Sequence, residues 1–144
     1  MFVGEYDRSV DGNGRVALPA DFRDDLSGQC YLTADPEGCV TIMSAAAVEQ
    51  AAAELLEQVR AGRASPSSSR AFAAKTSVAT IDKQGRITIE DQHRRHAGLR
   101  PGGDAVIVGR LTSLELWRDS RYSRIRSEDD VEQRVRHWDD EDDE

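Results

Sequence analysis

An internal repeat constrains this chain more than any other feature. Residues 6–18 align with residues 77–89 at a constant offset of 71, the separation between Asp11 and Asp82. The same offset superimposes three further pairs: Gly14 on Gly85, Arg15 on Arg86, and Arg23 on Arg94. Each copy has about 45 residues, which is too few to bury an adequate core alone. The two copies are therefore expected to complete one another.

Each copy is predicted to contain a tight turn between two short strands, followed by a short helix and a hairpin. Around the turns at 11–14 and 82–85, apolar and polar residues alternate with the period of two that is typical of strands. Glycine takes the positive φ that such turns need, and an aspartate side chain can cap the turn. The predicted helices span 19–26 and 91–97, and the predicted hairpin strands span 30–34, 39–43, 105–109 and 114–117.

The segments outside the two copies differ in composition. Residues 44–60 are alanine-rich with apolar residues at helical spacing, and Ser44 can cap this helix. The serine-rich segment 64–69 is predicted to be a flexible break, and a helix within 119–138 is predicted to precede a disordered acidic end over 139–144. The chain thus divides into four segments: a first domain over 5–47, a helix and serine-rich linker over 48–74, a second domain over 75–120, and a C-terminal helix with an acidic disordered tail over 121–144.

The net charge of −8 is confined to the end of the chain. Residues 128–144 hold ten acidic residues against Arg134 and Arg136, which is also a net −8, so residues 1–127 are neutral. The sequence pI of about 4.9 therefore describes the tail, and it does not exclude a nucleic-acid partner for the body of the chain.

Several classes of protein are disfavoured by what the sequence lacks. No apolar run approaches the roughly 18 residues of a membrane helix, and the first residues lack the basic and apolar regions of a signal peptide. Cys30 and Cys39 are too few for a disulfide framework, so a cytoplasmic location is expected. The common nucleophile, phosphate-loop and dinucleotide motifs do not occur, and neither an enzymatic activity nor a cofactor is predicted.

A metal site is also not predicted. His93 and His96 lie three residues apart on the predicted second-copy helix, but a zinc site needs three or four convergent ligands. No Cys-x-x-Cys motif or second histidine pair accompanies them. The same shortage of ligands argues against a small metal-dependent hydrolase.

Arg15 and Arg86, which end the two turns, are the strongest candidates for contact with DNA. A guanidinium group can fork onto phosphate or onto guanine N7 and O6. The alternative is an internal ion pair of each arginine with the aspartate four residues before it, and the two roles are compatible. Further candidates, for contacts to phosphate, are basic residues that could equally be solvated surface charges: Lys83, Arg8, Arg23, Arg94 and Arg95.

The two Asp-x-x-Gly-Arg motifs, each followed by alternating apolar residues and a short helix, resemble the SpoVT–AbrB fold, a swapped-hairpin β-barrel. Two such copies in a chain that opens Met1-Phe2-Val3-Gly4 are similar to the MraZ family of bacterial transcriptional regulators. Further matches lie at 15–23, 38–39, 96–99 and 114–117. The resemblance implies a mostly β fold with short helices (α+β), in which tandem SpoVT–AbrB repeats pack as a pseudo-twofold unit.

For function, the resemblance implies a protein of the cytoplasm and nucleoid that binds double-stranded DNA at promoter repeats. It further implies a ring-like homo-oligomer that controls the division and cell-wall gene cluster. The turn residues of both motifs would then be structural: Asp11, Gly14, Asp82 and Gly85.

The chain departs from the family pattern at the turns. Asn13 and Gln84 stand where the family usually has lysine or a similar long polar residue before the glycine. Glu90 of the second copy stands where the first copy has Pro19. An alternative function is an antitoxin-like protein-interaction module on the same barrel, which the acidic tail would favour.

Overall fold

The computed structural model describes the backbone of residues 1–142 and the side chains of residues 1–133. Within that part the first copy contains β1 (Glu5–Ser9), β2 (Arg15–Ala17), α1 (Ala20–Leu26), β3 (Gln29–Ala34) and β4 (Val40–Met43). Two helices follow, α2 (Ala45–Arg60) and α3 (Pro66–Ala74). The second copy contains β5 (Thr76–Thr80), β6 (Arg86–Thr88), α4 (Asp91–Ala97), β7 (Asp104–Gly109) and β8 (Leu114–Arg118), and α5 (Asp119–Asp142) ends the described chain.

The two copies exchange strands. Six strands form an antiparallel sheet in the order β1-β7-β8-β4-β3-β5, and β2 pairs with β6 in a separate two-stranded ladder. The first copy's β1 therefore pairs with the second copy's β7, and the second copy's β5 pairs with the first copy's β3. This arrangement confirms an α+β fold in which the copies complete one another.

One hydrophobic core lies between the copies. Val16 faces Ile87 across the β2–β6 ladder, and both side chains are almost fully buried. Leu18 and Ile89, which follow these strands, are also buried, so equivalent positions of the two copies fill the same interior. Because neither copy holds a separate core, the burial that stabilises each depends on the other.

The serine-rich segment differs from its prediction. A flexible break was expected over 64–69, but α3 begins at Pro66, so that prediction is wrong from Pro66 onward. Proline suits the first helical turn because its missing N–H would have no partner there. The hydroxyls of Ser68 and Ser69 donate to the carbonyl oxygens of Ser65 and Pro66 at 2.7 and 2.8 Å. Phe72 of α3 is half-buried beside apolar residues of α2 and β5, an apolar contact that the serine-rich composition did not indicate.

The C-terminal helix is longer than predicted. It continues to Asp142, so the prediction of disorder is wrong for residues 139–142, whereas Asp143 and Glu144 lie outside the described residues. The start of α5 is anchored, because Arg121 donates to the carbonyl oxygens of Gly38 and His96 at 2.7 and 3.1 Å. Extending a helix that is already nucleated costs less than starting one. No helix in the described part of the chain is long and apolar enough to cross a membrane.

The long helix between the copies follows its prediction. Its first residue is Ala45, and the Ser44 side chain accepts a hydrogen bond from the backbone N–H of Ala47 at 3.2 Å, as a helix cap does.

Candidate nucleic-acid interface

The first turn (residues 11–15) is organised around one carboxylate. Asp11 Oδ1 accepts hydrogen bonds from the backbone N–H groups of Asn13 and Arg15, both at 2.9 Å. The backbone closes the turn as well, since the Gly14 N–H donates to the Asp11 carbonyl oxygen at 3.0 Å. Gly14 has a φ of 76°, a left-handed conformation that residues with a Cβ adopt at a cost.

The second turn (residues 82–86) has the same geometry. Asp82 Oδ1 accepts from the N–H groups of Gln84 and Arg86, again at 2.9 Å. Gly85 donates to the Asp82 carbonyl oxygen at 3.0 Å and has a φ of 78°. The Asp-x-x-Gly-Arg sequence therefore encodes one turn structure twice.

The strands after the turns bring the turns side by side. In the β2–β6 ladder Arg15 lies opposite Thr88, and Ala17 lies opposite Arg86. Beyond the ladder, the N–H of Leu18 donates to the Gly85 carbonyl oxygen at 2.9 Å, and the N–H of Ile89 donates to the Gly14 carbonyl oxygen at 2.8 Å. Each turn is thus hydrogen-bonded to the strand end of the other copy, in a reciprocal pattern that relates the two by a pseudo-twofold axis.

The two turn arginines form the ion pairs that were the alternative to DNA contact. Arg15 Nε lies 2.9 Å from Asp11 Oδ2, and Arg86 Nε lies 3.1 Å from Asp82 Oδ2. Arg86 Nη1 also lies 3.7 Å from Asp11 Oδ2, which joins the two turns electrostatically. Both arginine side chains are partly exposed, and the short bonds use Nε, so terminal N–H groups are left for another acceptor.

The turns hold both carboxylates in their ionised form. Backbone hydrogen bonds from Arg15 and Arg86 are the largest cause that lowers the pKa of Asp11 and the pKa of Asp82, respectively. A carboxyl with a lowered folded-state pKa contributes stability above the ordinary aspartate value, and this contribution is lost as the pH falls through the lowered value. At neutral pH both aspartates are therefore charged and hold their arginines in place.

Two further predicted arginines support the turns from the opposite copy. Arg23 of α1 donates through Nε and Nη2 to the Leu18 carbonyl oxygen at 3.1 and 2.9 Å, and its guanidinium lies directly against Gly85. Arg94 of α4 donates through Nη1 to the Ile89 carbonyl oxygen at 2.6 Å and lies against Gly14. Sequence reasoning missed this supporting role, although the matched positions of Arg23 and Arg94 in the repeat were a signal for it.

The other predicted phosphate contacts differ in their surroundings. Arg8 donates through Nε to the Ala17 carbonyl oxygen at 2.8 Å, so part of its guanidinium also serves the fold. Arg95 Nη2 lies 2.7 Å from Asp91, whereas Lys83 is exposed at the tip of the second turn. As phosphate contacts, Arg8, Arg23, Arg94 and Lys83 remain predictions.

The two histidines of α4 do not converge. His93 is buried with Nε2 2.9 Å from the Lys75 carbonyl oxygen, and His96 Nε2 lies 2.6 Å from the Asp35 carbonyl oxygen. Each therefore links α4 to a different part of the fold.

A separate group could in principle hold a cation. Asp35, Cys39 and Glu115 place one potential ligand atom each within 4.8 Å of the others. Cys39 donates to Glu115 at 3.8 Å, and Thr41 donates to Asp35 at 3.2 Å, so these groups already satisfy one another. Burial and the negative charge of Glu115 raise the pKa of the Cys39 thiol, which keeps it protonated. Sequence reasoning missed this group because the fold brings distant parts of the chain together.

The described fold and its paired turns define a class of protein: a two-repeat, strand-exchanged α+β unit that presents two Asp-x-x-Gly-Arg turns side by side. The sequence profile of the family described as "MraZ protein, putative antitoxin-like" matches residues 1–63 and 72–141. The chain belongs to the MraZ family.

Similar proteins carry the name Transcriptional regulator MraZ. The chain is 37% identical over 117 residues to the protein of that name from Mycobacterium tuberculosis (strain ATCC 25618 / H37Rv), which covers 81% of this chain and 80% of the relative. It is 36% identical over 117 residues to that of Salinispora arenicola (strain CNS-205), with 81% of both chains covered. The relative from Mycobacterium ulcerans (strain Agy99) is also 36% identical over 117 residues.

Proposed function

We propose that this protein is a transcriptional regulator that binds double-stranded DNA sequence-specifically through Arg15 and Arg86. The observation that carries the proposal is the pair of identical turns held side by side by the β2–β6 ladder. The names of the relatives support the regulatory role.

The chemistry of the turns fits the recognition of a base edge. Each aspartate accepts the Nε hydrogen bond of its arginine and fixes that side chain, which lowers the entropy lost when DNA binds. Terminal N–H groups of an arginine can then fork onto guanine N7 and O6, and Lys83 beside them can contact phosphate. No reaction is part of this proposal: the protein acts by binding, without a cofactor, in the cytoplasm and nucleoid.

Assembly supplies the affinity that one protomer lacks. A neutral body with few free cations near its turns binds DNA weakly, because non-specific binding depends on the number of phosphates neutralised. Several protomers on adjacent promoter repeats bind more tightly, since later contacts become effectively intramolecular. The proposal therefore includes a ring-like homo-oligomer and an operator with elements spaced near 10 bp, so that each protomer meets the same groove.

The central experiment is fluorescence anisotropy with labelled DNA from upstream of the protein's own gene and with a scrambled duplex of the same length and composition. Titrations over a salt series should show tight binding to the upstream DNA alone, with a steep decrease in affinity as salt rises. Equal, weak binding to both duplexes would contradict sequence-specific regulation. That result would favour the alternative, an antitoxin-like protein-interaction module, which the description of the family as antitoxin-like and the acidic helix α5 also suggest.

The acidic tail is expected to weaken DNA binding at low salt. Ten carboxylates in residues 128–144 can compete with phosphates for basic groups of their own or a neighbouring protomer. Ending the chain at Ser127 keeps the bonds that anchor α5, including that of Arg126 to Glu5 at 3.1 Å. We expect this truncation to raise the affinity for DNA at low salt and to have a smaller effect at high salt. Equal affinities of the two proteins at low salt would show that the tail takes no part.

A further inference from the structure

The two copies differ in charge where the last hairpin strand leads into the following helix. The strands β4 and β8 align at an offset of 75, and so do the starts of α2 and α5. At this offset three arginines of the second copy stand where the first copy has two neutral residues and an acidic one: Arg118, Arg121 and Arg124 against Met43, Ala46 and Glu49. The fold that the copies share therefore does not require arginine at these positions.

The three arginines line one cleft at the start of α5. The cleft has a volume of about 270 Å³, and Ser120 also lines it. Arg121 donates to backbone carbonyl oxygens and so anchors α5. The guanidinium groups of Arg118 and Arg124 take part in no hydrogen bond or ion pair within the described part of the chain. A cleft lined by charges of one sign concentrates the positive potential and attracts an anion.

A loop inserted in the second copy lies next to this cleft. The helices α1 and α4 align at the offset of 71. Gly28 and Gly103, which are 75 residues apart, accept equivalent backbone hydrogen bonds, from Ile81 at 3.0 Å and from Val10 at 2.9 Å. The change of offset from 71 to 75 places four extra residues at 99–102, which have no counterpart in the first copy.

The inserted loop is attached to the strand end that enters the first turn. The N–H of Gly102 donates to the Val10 carbonyl oxygen at 2.6 Å, and Val10 directly precedes the turn at 11–15. Arg100 of this loop is exposed. Its guanidinium has no partner among the residues that the structure describes. The loop therefore presents an unpaired cation beside the first turn.

Four arginines form one continuous surface, here called the basic track: Arg100, Arg118, Arg121 and Arg124. A second cleft, of about 230 Å³, contains Arg100 and shares Arg118 and Ser120 with the first cleft. Asp104 and Asp119 also line the second cleft, so the track carries four positive charges beside two negative ones. The track ends toward the acidic tail, since Glu128 follows one helical turn after its last arginine.

The basic track lies close to the first turn. Arg94 of α4 lies against Gly14 of the turn, and Gly98 at the end of α4 lies against Arg118 and Arg121. Positions four residues apart share one face of a helix, and the helix rises about 6 Å between them. The phosphates of one DNA strand follow one another at about 3.4 Å along the duplex axis. The track therefore begins within a few phosphate spacings of the turn.

The first turn has no cation at its own tip. Its tip residues are Gly12 and Asn13, whereas the equivalent residues of the second turn are Lys83 and Gln84. Lys83 is exposed and gives the second turn a positive charge for phosphate. The basic track supplies positive charge on the side of the first turn, so both ends of the paired turns are flanked by cations.

We propose that the basic track binds the phosphate backbone of the duplex next to the element that the first turn contacts. This inference rests on the proposed function and adds a second contact surface for the same DNA. A guanidinium group binds phosphate oxygens in a forked geometry, and such contacts fix position without reading bases. The track therefore adds affinity on one side of the element and leaves the preference for the operator to Arg15 and Arg86.

A triple variant tests the track. It removes the three charges of the track that anchor no backbone group: Arg100→Gln, Arg118→Gln and Arg124→Gln. The matched control removes three exposed arginines that lie outside the track: Arg60→Gln, Arg63→Gln and Arg126→Gln. Circular dichroism and light scattering compare the fold and the assembly of each protein with those of the unmodified one. If the triple variant does not fold, Arg124→Gln alone, at an exposed position of α5, gives the same readout at about a third of the size.

Anisotropy titrations over the salt series measure the loss. The slope of log affinity against log salt should fall by about 0.9 for each phosphate contact removed, and at 0.1 M salt the triple variant should bind roughly 100-fold more weakly. The upstream and scrambled duplexes should lose affinity by the same factor, because phosphate contacts carry no sequence information. The control should change the slope much less. A triple variant with the slope of the control would overturn the proposal.

A second measurement tests where the track lies on the DNA. In a duplex that carries one promoter element, shortening one of the two flanks should weaken binding of the unmodified protein and leave the triple variant unaffected. Shortening the other flank should affect the two proteins alike. If neither shortened duplex distinguishes the proteins, the track does not contact DNA beside the element.

The same titrations distinguish this inference from the proposed function. If the unmodified protein binds neither duplex, both fail. If it binds the two duplexes equally, sequence-specific regulation fails, and a reduced slope of the triple variant still supports the track. If it prefers the upstream DNA and the triple variant behaves as the control does, the track fails and the proposed function stands.

Discussion

Replacing Arg15 and Arg86 together by alanine is expected to abolish preference for the operator over scrambled DNA. A bidentate arginine contact typically contributes about 1–3 kcal/mol of discrimination, so loss of two contacts is expected to cost about 2–6 kcal/mol. The melting temperature should change little, because partly exposed ion pairs such as those with Asp11 and Asp82 contribute little to stability. Anisotropy titrations and thermal unfolding of the same preparations measure both quantities.

The single variants and a matched control assign the effect. Arg15→Ala and Arg86→Ala separately show whether both copies read DNA. Lys83→Ala, at the exposed tip of the second turn, should weaken binding to both duplexes alike and reduce the salt slope by about 1. Unchanged affinity of the double variant, with unchanged melting, would refute a role of these arginines in recognition.

Replacing Gly85 by alanine should destabilise the whole protein. An alanine here must adopt a left-handed backbone conformation, which is costly for a residue with a Cβ. Its Cβ also collides with the guanidinium of Arg23, and the hydrogen bond from Arg23 to the Leu18 carbonyl oxygen holds that guanidinium in place. The expected loss is roughly 3 kcal/mol in the free energy of unfolding, which lowers the melting temperature by roughly 10 °C in a domain of this size. Urea and thermal unfolding followed by circular dichroism measure the loss.

Two controls separate the collision from a general effect of alanine in a turn. Gly12 lies in the first turn, where an added Cβ would meet no atom within 4 Å, so Gly12→Ala should be nearly neutral. Adding Arg23→Ala to Gly85→Ala removes the collision, so the two effects should not add. A Gly85→Ala protein as stable as the Gly12→Ala protein would show that the packing of Arg23 on Gly85 is not important.

The sequence predicted the local structures of the site well and the contacts between copies poorly. The turns follow from the Asp-x-x-Gly-Arg spacing, because the carboxylate, the glycine and the arginine act within five residues. The contact of Arg23 with Gly85 joins residues more than 60 positions apart, and only the exchange of strands brings them together. An arginine that is solvated at the surface and one that packs against a turn cannot be distinguished from the sequence at such a position.

The misjudged segments have a similar explanation. Serine-rich composition predicts disorder when a segment has nothing to pack against, but Phe72 of α3 lies beside apolar residues of α2 and β5. The contact between the first residues and the β7–β8 turn was also not predicted, because Phe2 and Leu111 are distant in sequence and pair only through an isolated bridge in the folded chain.

The joining of the two turns in one chain gives the protomer a polarity. In a dimer of identical chains the two turns would be identical by symmetry, and such a dimer would read both directions of the duplex alike. Here the tips differ, since Gly12 and Asn13 occupy one turn and Lys83 and Gln84 the other. A protein that reads DNA through these turns distinguishes the two directions of the duplex. In the proposed ring-like assembly, protomers that face the same way along the DNA would match elements repeated in the same orientation rather than inverted ones.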